Sequence, residues 1–209
     1  MASTKPCNMQ INYRPMTKAD IGVVPMDCHG SPSDVETRIA DLGACAILAF
    51  EADRHVGQLQ FRRHSPDLRS RNGIWHPDYW GDFGDDQPDL PPDTVGMFCY
   101  HVGQLEPGEA RDSRYFGRGI GVGLVDYFLS WAQEQGFAAI VAKHTPVQRA
   151  VMSFMGGQPA SVYEQKGFDV ISSWIDAQLL ETVRERGLVE EEIPDQDAAQ
   201  VGLCVRHLI

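Results

Sequence analysis

The feature that most constrains this chain is Arg114-Tyr115-Phe116-Gly117-Arg118-Gly119-Ile120-Gly121-Val122-Gly123, where four glycines alternate into the start of a helix. Glycine costs up to ~1 kcal/mol per helical position relative to alanine, so such a run needs a compensating reason. Ile120, Leu124, Phe128 and Trp131 recur at helical spacing opposite Asp126, Gln133 and Glu134, which predicts a helix over about Gly119 to Gln135. Gly136 followed by Phe137 predicts a Schellman stop. Without Cβ atoms a backbone can come close to a ligand, and the first N–H groups of a helix point outward, with the positive end of its dipole behind them. Arg111, Arg114 and Arg118 concentrate positive charge at the same place. Glycines and arginines together at a helix start make an anion site, and a diphosphate is its natural guest.

Spacing separates the nucleotide motifs. A P-loop needs Gly-Lys-Ser/Thr after its glycines, and none is present. The Rossmann pattern fails in both registers, because Val122 or Leu124 stands where its third glycine belongs.

Around the loop, alternation and breakers predict a short strand at Gln10 to Arg14 and a helix start at Thr17. A helix is expected over Ser33 to Leu42, capped by Ser33 with Glu36 and closed by Gly43. Ala44 to Glu51 and Val56 to Arg63 read as a hairpin, and Val95 to Leu105 as a strand. Ala138 to Lys143 reads as a buried strand. Pro159 to Lys166 reads as a short helix, Phe168 to Ile175 as a strand, Asp176 to Arg186 as a helix and Gln200 to Leu208 as a last strand. The alternation predicts an α/β (α+β) sandwich around one sheet. One domain over 1–209 is expected, with an irregular Trp/Asp-rich insertion at 65–93 and a helix–strand extension at 176–209.

Charge and cysteine content narrow the setting. A net charge of −11 and a pI of about 5.0 argue against a nucleic-acid partner, while leaving room for one anion held by local arginines. Five widely spaced cysteines without a Cys-x-x-Cys pair predict reduced thiols rather than disulfides or a metal site. Met1 to Gln10 has no apolar run to serve as a signal peptide, and no stretch approaches the ~18 apolar residues of a membrane span. A soluble, cytoplasmic protein is expected.

Arg114-x-x-Gly117-x-Gly119, followed by Ile-Gly and an amphipathic helix, resembles the acetyl-CoA loop of the GNAT N-acetyltransferases. Tyr163-Glu164-Gln165-Lys166-Gly167-Phe168 looks like a second motif of that family, and Arg14 to Ile21 is a weaker echo of its opening. The resemblance covers about Ile11 to Ile175. It implies a mixed, mostly antiparallel sheet that splays at the cofactor cleft, flanked by helices. It also implies that acetyl-CoA, as co-substrate, lies along His101, Val102 and Gly103, with its diphosphate on Arg114, Gly117, Arg118, Gly119, Ile120 and Gly121. A backbone N–H of the Tyr100 to Val102 region would polarise the acyl carbonyl. Two departures stand out: eleven residues separate Val102 from Arg114, and the long stretch His144 to Gln158 lacks the family's usual Asn.

The resemblance implies direct transfer of an acetyl group to a primary amine, with Tyr163 protonating the leaving thiolate. A phenol, with a pKa near 10, is protonated at neutral pH without tuning. Candidates for the base are His101, whose type titrates in the right range, and Glu51 at the end of the second strand, with Asp93 standing just before the strand that carries His101. For the acceptor, Trp75, Tyr79 and Trp80 among Asp78, Asp82, Asp85, Asp86 and Asp89 could hold a cationic amine or a peptide by cation–π and charge contacts. Met152, Phe154 and Met155 are candidates for an apolar pocket near the acyl end. A homodimer is compatible with the sequence, and a non-catalytic acyl-CoA-binding module is the rival reading.

Overall fold

The computed structural model describes residues 10–26, 30–64, 89–105 and 110–209. Among these, the strands β1 (Ile11–Pro15), β2 (Ala46–Glu51), β3 (Arg54–Arg63), β4 (Thr94–Val102), β5 (Ala139–His144), β6 (Asp169–Ile175) and β7 (Gln200–His207) form one sheet. Its order is β1-β2-β3-β4-β5-β7-β6, and only β4 and β5 run parallel. The helices are α1 (Pro32–Leu42), α2 (Ile120–Glu134), α3 (Arg149–Met155), α4 (Ala160–Glu164), α5 (Ala177–Glu185) and α6 (Asp195–Ala199). The parallel pair follows from α2, because returning a strand in the same direction requires a crossover.

The apolar stripe of α2 buries Ile120, Leu124, Val125, Phe128 and Trp131 on one face of the sheet, joined there by Tyr163 of α4. Phe61 of β3 sits between Phe128 and Trp131, with ring centroids 4.8 and 4.6 Å away. Each such side chain contributes roughly 1.5–3 kcal/mol by leaving water. The expected stop is present: Phe137 N–H donates to Ala132 O at 3.1 Å, and the Phe137 ring lies 5.7 Å from Trp131. The other face carries α1, whose Val35 and Ile39 pack with Met16 and Leu48. Val151 and Met155 of α3 and Leu179 and Val183 of α5 pack there over Phe98 and Val201.

The local readings hold with three adjustments. The cap of α1 is Ser31 with Asp34 rather than Ser33 with Glu36, because Pro32 supplies the first helical residue. The hairpin turn is shorter than expected, with Arg54 already paired to Glu51. The helices α3 and α6, absent from the sequence reading, have only seven and five residues. Among the described residues no helix is long and apolar enough to cross a membrane.

Two features of β4 make the cleft. Its register with β5 runs from Thr94↔Ala139 to Met97↔Ala142 and goes no further, although β4 continues to Val102. At that point the β3–β4 register shifts between Leu59↔Tyr100 and Gln60↔Phe98, leaving Cys99 as an extra residue with φ 48°. A bulge bends its strand and breaks the ladder, and here it coincides with the separation of β4 from β5.

Candidate active site

The gap between the splayed strands opens into a cleft of about 530 Å³. The sheet side contributes Tyr100 and Val102, the glycine loop contributes residues 116–122, and α3 with the turn after it contributes Met152, Ser153 and Gly156 to Gln158. Gly103 N–H donates to Val56 O of β3 at 2.8 Å. Backbone groups alternate along a strand, so the N–H and C=O of Val102, one residue earlier, face away from β3 and into the gap. Tyr100 N–H is already occupied by Gly156 O at 2.7 Å, so of this pair Val102 is the residue whose N–H faces the gap.

The loop begins with a 3-10 turn, Ser113–Tyr115, in which the Asp112 carboxylate accepts the Arg114 N–H at 3.0 Å. Gly117 and Gly119 have φ values of 67° and 77°, and a Cβ on either would meet nothing within 4 Å. The backbone there is left-handed and open to the cleft, a combination that favours glycine. Gly119 caps α2, so the N–H groups of Ile120, Gly121 and Val122 have no carbonyl within the helix to bond. Gly123 belongs to a different class. A Cβ there would collide with the Tyr13 ring on β1, so the fourth glycine serves helix–sheet packing.

Three arginines line the cleft. Arg118 donates to Arg114 O at 3.2 Å, Arg111 to Ser153 Oγ at 3.2 Å, and the Arg149 guanidinium lies 5.5 Å from the Phe116 ring centroid. Arg114 is placed differently from the expectation. Its side chain turns out to solvent and clasps Asp112, with Nε 2.9 Å and Nη2 2.5 Å from Oδ2. That pairing holds the Asp112 carboxyl down at about 2 and braces the turn instead of lining the cleft. Gly103 is held within the protein: its N–H donates to Val56 O at 2.8 Å and its C=O accepts Asp112 N–H at 2.7 Å.

The expected bases lie outside the cleft lining. The Glu51 carboxylate accepts the Tyr115 hydroxyl at 2.7 Å, tying the end of β2 to the glycine loop. His101 points to the opposite face of the sheet, where its ring nitrogens meet Cys99 Sγ at 2.7 Å and Gln104 Oε1 at 2.6 Å. Neighbouring His55 is buried too, and burial holds it down at about 4. Tyr163 stands behind the cleft wall: its hydroxyl donates to Tyr100 Oη at 3.3 Å, and Tyr100 lines the cleft. Burial pushes both phenols above their ordinary range, so both stay protonated at neutral pH.

Trp75, Tyr79 and Trp80 lie outside the described residues. Met152 lines the cleft, while Phe154 and Met155 pack in the far-face core. Arg149, Ser153 and Gln158 went unnoticed in the sequence because α3, at seven residues, is too short to show a period; the pair Gly156-Gly157 was the available signal.

No family model matches the chain, and no curated protein matches it. Solved structures do. An N-acetyltransferase from Staphylococcus aureus Mu50 superposes with a TM-score of 0.53 at 11% identity, over 96% of this chain and 99% of that one. A putative acetyltransferase from Salmonella typhimurium with its cofactor acetyl-CoA gives 0.52 at 15% identity, over 96% and 95%. A GNAT-family acetyltransferase from Streptococcus pneumoniae gives 0.51 at 12%, over 95% and 99%. The chain has the GNAT N-acetyltransferase fold.

Proposed function

We propose that this chain transfers an acetyl group from acetyl-CoA to a primary amine. The observation that carries the reading is the cleft itself: a strand edge at Val102 and an open, left-handed glycine loop at a helix start share one space with Arg111, Arg118 and Arg149. A long ligand with an anionic end and a polar, peptide-like arm suits those two walls. The loop N–H groups and arginines would hold the diphosphate. Val102 would bond the arm as a neighbouring strand does, or polarise the thioester oxygen. The fold is shared with proteins named acetyltransferases, one of them determined with acetyl-CoA.

Acyl transfer needs a nucleophile without its proton and a proton for the departing thiolate. Tyr163 and Tyr100 form a protonated, hydrogen-bonded pair behind the cleft wall, with the Tyr100 hydroxyl donating to Met97 Sδ at 3.5 Å. Turned toward the cleft, that hydroxyl would hand its proton to the thiolate while Tyr163 replaces it, and the amine's surplus proton would restore Tyr163. Amine acetylation is tested by thiol release from acetyl-CoA over a panel of small amines and peptides, with binding followed by calorimetry. Tyr163→Phe is expected to lower kcat roughly 10–100-fold while leaving acetyl-CoA affinity within about 3-fold. Binding without turnover on any amine, unchanged by Tyr163→Phe, would instead identify a non-catalytic acyl-CoA sensor.

The Glu51–Tyr115 bond makes a separate prediction. Tyr115→Phe frees the loop from β2 and should weaken acetyl-CoA binding by roughly 5-fold, since a hydrogen bond to a charged group contributes about 1.5–3 kcal/mol and only part of that is transmitted to the ligand. Calorimetry on the variant checks it. An unchanged affinity would show that the bond serves the fold alone.

A further inference from the structure

Three contacts lay the short helix α3 along the cleft, from the glycine loop at one end to β4 at the other. At its start the Arg149 guanidinium lies 5.5 Å from the Phe116 ring centroid. One turn on, Ser153 Oγ accepts a hydrogen bond from Arg111 Nη1 at 3.2 Å. Just past its end the Gly156 C=O accepts Tyr100 N–H at 2.7 Å. At a rise of 1.5 Å per residue, the helix from Arg149 to Gly156 makes a wall ~10 Å long.

The last of these contacts ends the groove. β5 leaves β4 after Met97↔Ala142, and at Tyr100 the turn after α3 takes its place. Gly156 has φ 64°, and a Cβ there would stand 3.2 Å from Tyr100 N and 3.4 Å from Cys99 Cα, so the turn sits directly on the strand backbone. Val102 lies two residues away, or ~7 Å, and its N–H faces the gap. Val102 is also the end nearer the loop: a Cβ on Gly57 would meet both Ile120 Cγ2, at 3.4 Å, and Val102 Cα, at 3.6 Å. Met152 belongs to the last turn of α3, where its C=O accepts Gly156 N–H at 2.9 Å, and its partly buried side chain lines the cleft. A ligand with its charged end on the glycine loop therefore reaches Val102 first. Whatever extends past Val102 meets Tyr100, Met152 and Gly156.

We propose that this end wall gauges the acyl chain of the donor, accepting acetyl and rejecting chains of four carbons or more, with Met152 as the residue that sets the length. The proposal rests on the acetyl-CoA reading of the cleft and names the class of donor within it. Of the ~7 Å between Val102 and Tyr100, carbon–carbon contact distances of about 3.5–4 Å take up half. The remaining roughly 3 Å holds a methyl group beyond the thioester carbon and no longer tail. Two parts of the wall cannot give way, because the Tyr100 and Gly156 backbones are hydrogen-bonded to each other. Met152 is the part made of a side chain, so its size decides how far an acyl group can reach.

Calorimetry on the full chain with coenzyme A, acetyl-CoA, butyryl-CoA and hexanoyl-CoA reads the gauge without any need to know the acceptor. In the wild type acetyl-CoA should bind within about 3-fold of coenzyme A. Butyryl-CoA should bind more weakly and hexanoyl-CoA more weakly still, by roughly 10-fold or more, since a single misfitting methylene in a pocket already costs about 10-fold. Met152→Ala should recover hexanoyl-CoA by roughly 10-fold and leave coenzyme A and acetyl-CoA within about 3-fold, which also shows that the variant is folded. Met152→Leu, of similar size, should keep the wild-type order. If the wild type binds hexanoyl-CoA as tightly as acetyl-CoA, or if Met152→Ala leaves the order unchanged, the gauge is overturned while coenzyme A binding upholds the donor site. A wild type that binds no coenzyme A at all would sink the acetyl-CoA reading itself, and the gauge with it.

Discussion

Gly119→Glu is expected to abolish acetyl-CoA binding, at least 100-fold in Kd by calorimetry, while the protein remains folded with a cooperative melt. Three effects act together. Gly119 has φ 77°, where a residue with a Cβ is strained by roughly 1–2 kcal/mol. Its missing Cβ faces open cleft, so a glutamate side chain has room to extend and the fold does not have to move. The carboxylate would then lie over the first N–H groups of α2, where an anion is favoured, and would occupy the place of the ligand's own charge. A 100-fold loss corresponds to about 2.7 kcal/mol, within reach of one misplaced charge in a site made for an anion. Retained affinity would remove the loop from the donor site.

Gly103→Ala should do the reverse. It is expected to lower stability by roughly 2–4 kcal/mol, through left-handed strain together with overpacking. Gly103 has φ 81°, and a Cβ would stand 2.5 Å from the Asp112 backbone oxygen and 3.1 Å from the Phe116 ring. A backbone oxygen cannot swing aside as the end of a long side chain does. The Val56–Gly103–Asp112 hydrogen bonds that bring the strand end to the glycine loop would open. In a domain of this size the loss reads as a fall of roughly 5–15 °C in Tm. Coenzyme A at saturating concentration should recover part of it, since a ligand that binds only the folded form stabilises that form. A melt unchanged within a degree would show that the exit of β4 tolerates a side chain and that Gly103 does not hold the turn.

The contrast between these two glycines shows where sequence reading reaches its limit. Both were read as cofactor-binding positions. The difference between them lies in what stands opposite the missing Cβ, which is open cleft for Gly119 and a backbone carbonyl for Gly103. Gly123 makes the same point within the run of four, because its neighbour Tyr13 lies 110 residues earlier in the chain.

Arg114 and Arg118 were likewise indistinguishable as sequence, four residues apart in one motif. A local carboxylate separates them. Asp112 captures Arg114, and Arg118 is left to line the cleft with Arg149, whose helix the periodicity could not reveal. The pairings Glu51–Tyr115 and Tyr100–Tyr163 span more than sixty residues each. Cys99, His101 and Gln104 are near neighbours in sequence. Alternation alone places Cys99 and His101 on one face of β4, and the extra residue at the bulge decides that it is the face away from the cleft.

By itself the sequence determined the elements and the glycine-rich turn: α2 with its stop, the β2–β3 hairpin, and a loop of alternating glycines with arginines. These are short-range properties, set by side-chain period and backbone freedom within a few residues. Only the tertiary structure decided which glycines face the cleft and which face the protein, which arginines line the cleft, and that the His101 ring points away from it. Those outcomes depend on strand register and on the parting of β4 from β5, and register is set by the packing of the whole sheet rather than by any one segment.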